Sequence, residues 1–164
     1  MSRLLLALVA AYFAASLAHF GHNAQYIAFY PGMPAWLAPE KVWWFWFAVC
    51  GVGLLAWVLT RLGLRALGLL VLGVYGALGL DGLLHYRLGL CSEHTLLANL
   101  TIWAEAMTGL MLLLVSAVLF VRRLKVLASS SRVSTMPCRM SASSARQSSV
   151  SAPSSRIVRT MALP

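Results

Sequence analysis

Acidic side chains are scarce in this chain. Four Asp and Glu face thirteen Lys and Arg in 164 residues, and charged residues of both signs make up 10% of the sequence. A soluble domain carries about a quarter, so a water-soluble globular fold is excluded. Cysteine is equally sparse. Cys50, Cys91 and Cys138 share no C-x-x-C spacing, which leaves a thiol relay unsupported and makes Cys91 a lone soft ligand or a free thiol. No G-x-S-x-G, P-loop or H-E-x-x-H pattern is present, so no reaction is identified. The net charge of +9 is spread over helix ends and a serine-rich tail, forming no folded basic face, which argues against nucleic acid as a partner.

What the chain has is hydrocarbon. Sixty per cent of its residues are hydrophobic, with a mean hydropathy of +0.80. Residues 4–20, 42–60, 66–85 and 99–121 form four apolar runs, each close to the roughly 20 residues that cross a bilayer core. Backbone groups in lipid must be satisfied within their own segment, so the runs are expected to be helices. The expected fold is an all-α integral membrane four-helix bundle over residues 1–127. Arg3, Arg61, Arg65, Arg122, Arg123 and Lys125 lie on one side, against Lys41 and Arg87 on the other, each of these with an acid nearby. The positive-inside rule then makes both termini and the 61–65 link cytoplasmic. Trp36, Trp43, Trp44 and Trp46, with Tyr26, Phe29 and Tyr30, form an aromatic belt where the first outer loop meets the second run. The expected location is a bacterial inner (plasma) membrane.

From residue 128 the composition changes: twelve serines, five arginines and no acid in 37 residues, without helical or strand periodicity. A disordered cytoplasmic tail is expected over 128–164. At the other end, Arg3, the apolar "LLLALVAAYFAA" and "SLA" imitate a signal peptide cleaved after Ala18. The polar stripe that continues through Tyr26 favours an uncleaved first helix.

Polar residues inside the runs are few and concentrated. All four histidines, His19, His22, His85 and His94, fall at the outer side of the expected bundle. Asp81 and Glu105 lie beneath them within apolar runs, where a carboxylate costs at least about 2.5 kcal/mol and by default faces a partner, a cavity or a site. Asp81 precedes His85 by four residues, which on an α-helix stacks the pair on one face. Tyr12, Ser16, His19 and Asn23 make a polar stripe on the first helix, and Thr101, Glu105 and Thr108 another on the fourth. Glycines 73, 76, 79 and 82 allow close approach to the third helix. The second helix has no acid or base and reads as a wall against lipid.

The expected site is therefore a cluster of His19, His22, Asp81, His85 and Glu105, with Asn23 and His94 at its rim. Imidazole and carboxylate together suit a transition metal ion, copper, zinc or iron. The stretch "DGLLHYRLGLCSEH" is similar, over some fourteen residues, to the Asp-x3-His…His copper-binding pattern in the third subunit of particulate methane monooxygenase, with eight residues between His85 and His94. That span implies no activity. Three other readings stay open: a metal-free pocket for a proton, quinone or lipid headgroup; a haem held by two histidines, which leaves the carboxylates unexplained; and an accessory subunit packed on a larger membrane protein or on its own copy. The lipid bilayer is the partner common to all of them.

Overall fold

A computed structural model of the chain describes residues 3–29, 34, 36–87 and 89–134. Four helices follow in order: α1 (Arg3–Tyr26), α2 (Pro39–Arg61), α3 (Arg65–Leu78) and α4 (Leu96–Ser134). A 3₁₀ segment, Gly79–Arg87, continues α3, so that four helical stretches are long and apolar enough to cross a membrane. No strand occurs among the described residues. Each helix packs antiparallel against two others: α3 lies between α2 and α4, and α1 closes the ring between α4 and α2.

The helices are inverted in polarity. On α1 the buried positions are Leu5, Tyr12, Ser16, His19, Asn23 and Ala24, whereas Leu4, Leu6, Phe13 and Leu17 are exposed. On α4 the 3,4 spacing of buried residues runs through Ala98, Thr101, Glu105, Leu112 and Ser116, with Leu100, Trp103, Met107 and Met111 outward. A helix in water would bury the second set. Polar stripes inside and large apolar side chains outside are the arrangement expected where the surroundings are hydrocarbon. α2 shows the extreme: among its large side chains Trp44, Phe45, Phe47, Leu54, Leu55 and Trp57 are all exposed.

Local chemistry sets the ends. Pro39 occupies the first turn of α2, where its missing N–H costs nothing, and Glu40 follows near the positive end of the helix dipole. α2 ends in a tight turn at Gly63, whose φ of 84° suits glycine. α3 packs closely on α4. A Cβ added to Gly109 would lie 2.5 Å from the Gly76 carbonyl oxygen, and one on Gly76 would lie 2.8 Å from the Leu113 nitrogen.

Two boundaries differ from the sequence expectation. The third run, expected as one α-helix over 66–85, winds into 3₁₀ geometry at Gly79. Nine residues is long for such a segment. Its glycines favour the change, because Gly79 and Gly82 fall three apart and stack on one buried face at three residues per turn. The fourth helix runs to Ser134, past the expected tail boundary at 128. No Gly or Pro falls between Gly109 and Pro137, and Leu127 and Ala128 are strong helix formers. The remainder of the expected tail, 135–164, lies outside the described residues.

Candidate functional site

At the end of the bundle opposite Arg61 and Arg65, the two polar stripes meet. His19 and Glu105 are each 2% exposed, with His19 Nε2 3.7 Å from Glu105 Oε2. One turn along α1, the Asn23 amide nitrogen donates to His19 Nε2 at 3.0 Å and lies 3.4 Å from His85 Nε2. The His19 and His85 ring centroids are 5.2 Å apart.

The surrounding hydrogen bonds assign both tautomers. Thr101 donates its hydroxyl to the Ala98 carbonyl at 2.9 Å, so its oxygen accepts from His19 Nδ1 at 3.4 Å. His85 Nδ1 donates to the Gly82 carbonyl at 3.0 Å. Both imidazoles thus carry their proton on Nδ1 and turn the Nε2 lone pair toward the Asn23 amide. His94 follows the same rule, donating Nδ1 to the Leu90 carbonyl at 2.9 Å, and its ring centroid lies 6.4 Å from that of His85.

Below this layer Tyr12, 0% exposed, meets Tyr75 edge-on at 4.6 Å and closes the pocket toward the arginine-bearing end. Among the described residues six buried side-chain polar atoms have no hydrogen-bond partner, and four of them, Tyr12 Oη, Ser16 Oγ, Asn23 Oδ1 and Glu105 Oε2, lie on α1 and α4 along the two polar stripes. Each such group costs about 1–3 kcal/mol, more for a charged one. A carboxylate beside two neutral imidazoles has no countercharge, so the arrangement favours uptake of a proton or a cation.

The structure brings together His19, His85, Glu105 and Asn23, and seats His94 one ring further out. It does not bring in Asp81 or His22. Asp81 is exposed, and the 3₁₀ winding explains why: four residues at three per turn leave Asp81 and His85 about 120° apart around the axis. Asp81 instead lines a cavity of about 260 Å³ together with Asn23, His85, Trp36 and Phe45. His22 packs on Tyr26 at 4.7 Å and lines a separate cavity of about 520 Å³ with Phe29, Glu93 and His94. Among the described residues no group of three or more His, Cys, Asp or Glu side chains is arranged to hold a metal ion.

Residues that sequence reasoning passed over complete the site. Thr101 shares a stripe with Glu105, and the stripe was the available signal; its role as the acceptor for His19 depends on helix pairing. Asn99 ties the loop before α4, accepting from Tyr86 Oη at 2.8 Å and donating to the Cys91 carbonyl at 3.0 Å. No protein-family profile, curated protein or solved structure matches the chain.

Proposed function

We propose that this chain is a small multi-pass membrane protein whose His19–Asn23–His85–Glu105 pocket takes up and releases a proton, or a small ligand that supplies one, near the outer face. The observation that carries the reading is the Asn23 amide set between two imidazole lone pairs, beside a buried carboxylate oxygen that has no hydrogen-bond partner among the described residues. A proton on Glu105 neutralises the carboxylate. Its passage to His19 Nε2 gives a carboxylate–imidazolium pair, and the cavities that reach His85, Asn23 and His94 lead outward. Infrared titration of the full chain in lipid tests this. A carboxylic C=O band, absent in Glu105→Gln, is expected to vanish as pH rises, with a midpoint that moves in His19→Gln. A band insensitive to pH or to His19 overturns the reading.

One observation favours a transition metal ion, copper, zinc or iron, as a second reading. Ligating histidines commonly donate their other ring N–H to a carbonyl or a similar acceptor, as His19 and His85 do here. Chelator-washed protein that reloads to one ion per chain would put this reading first.

The same proposal places the chain in a bacterial plasma membrane with Arg61, Arg65, Arg122 and Arg123 cytoplasmic and Cys91 outside. Intact cells treated with a membrane-impermeant maleimide are expected to label the exposed Cys91 and to leave Cys138 unlabelled until permeabilised. The opposite pattern inverts the topology.

A further inference from the structure

The other end of the bundle holds a further cavity, of about 750 Å³, that shares no lining residue with those beside the histidines. Arg61 from α2, Arg65 from α3, and Arg122 and Arg123 from α4 all line it. Apart from Thr60, its remaining walls are apolar, with Leu69, Leu72 and Leu119 among them. Arg61 is held against the rim by its guanidinium, 4.9 Å from the Trp57 ring centroid. No acid lines the cavity, and none of the chain's four acids, Glu40, Asp81, Glu93 and Glu105, lies within the last turn of α2, the first turn of α3 or the arginine-bearing part of α4.

Four guanidiniums from three helices around an apolar floor, without an internal counterion, form a site for an anion that carries its own hydrocarbon. We infer that this cavity binds an anionic phospholipid, its phosphate on the arginines and the upper part of an acyl chain against the leucines. Guanidinium groups pair with phosphate oxygens in bidentate geometry, and basic pockets between membrane helices on the cytoplasmic side suit such headgroups. A free phosphate would satisfy the arginines and leave the apolar walls unmatched. Residues 135–164 bring further arginines and no acidic side chain, so the tail's side chains offer no charge complement.

The test uses the full chain, exchanged between vesicles of phosphatidylcholine alone and vesicles containing phosphatidylglycerol or cardiolipin, with retained lipid counted by mass spectrometry of the intact complex. About tenfold enrichment of anionic lipid over phosphatidylcholine is expected, unaffected by millimolar inorganic phosphate. It is expected to fall toward parity in Arg61→Gln/Arg65→Gln and in Arg122→Gln/Arg123→Gln, and to return only in part with lysine at the same positions, which restores the charge without the bidentate fork. Equal retention of all lipids, displacement by inorganic phosphate, or enrichment unchanged in both glutamine pairs overturns the inference. If a glutamine pair fails to fold, the selectivity of the unaltered chain and of its lysine variants decides.

Discussion

Gly109→Val is expected to leave no folded bundle under conditions where the unaltered chain is stable. A Cβ at this position would lie 2.5 Å from the Gly76 carbonyl oxygen and 3.2 Å from the Gly79 Cα. The obstructing atoms are backbone, so no rotamer change relieves the contact. α3 and α4 must move apart, and the valine methyls widen the gap further. Overpacking commonly costs about 1–3 kcal/mol where side chains can yield, and about 3 kcal/mol or more is expected here. Gly51→Ala is the matched control, because nothing lies within 4 Å of a Cβ placed there. Alanine in a helix interior gains up to about 1 kcal/mol over glycine, so this variant should be as stable as the parent or more so. Equilibrium unfolding in mild detergent measures both. Equal stability of the two variants would show that close α3–α4 packing is dispensable.

That interface explains what could be read from the sequence. Hydropathy and length located the four helical stretches, because the need to satisfy backbone groups in lipid constrains them more strongly than side-chain detail. The stripes on α1 and α4 were legible as 3,4 spacings of Tyr12, Ser16, His19, Asn23 and of Thr101, Glu105, and their burial is the arrangement expected of helices long and apolar enough to cross a membrane. The third run was different. Its α-helical period placed Asp81 over His85, and two glycines three residues apart changed the period. A shift from 3.6 to 3.0 residues per turn is worth little per residue and is decided by what packs on the glycines, here Tyr12 and the Glu105 backbone against Gly79. The carboxylate beside His19 is thus Glu105, while Asp81 is exposed and meets His85 only as part of the cavity they both line. Position 23 was read as rim for a related reason: its central place appears only when His85 is brought across from another element.

Asn23→Asp is expected to make the pocket hold zinc more tightly than the unaltered chain does. Zinc held by imidazole and carboxylate at about 2.0–2.2 Å in a tetrahedron sets neighbouring donor atoms about 3.4 Å apart. The position-23 amide nitrogen stands 3.0 Å from His19 Nε2 and 3.4 Å from His85 Nε2, and Glu105 Oε2 stands 3.7 Å from His19 Nε2. Three edges of such a tetrahedron are therefore present, but the atom at one corner is an N–H donor, which repels a cation. Aspartate replaces that donor with an oxygen of nearly the same shape. Without metal the variant buries two carboxylates side by side and should lose about 3 kcal/mol or more. Zinc at a hundred times its dissociation constant returns about 2.7 kcal/mol. Thermal unfolding of chelator-washed Asn23→Asp should shift upward with added zinc, and the shift should disappear when His19→Gln is combined with it. An Asn23→Asp chain that gains no zinc would show that His19, His85 and Glu105 do not converge on one point. A parent chain that takes up zinc equally well would make the resident asparagine a ligand through its carbonyl oxygen, and the pocket a metal centre already.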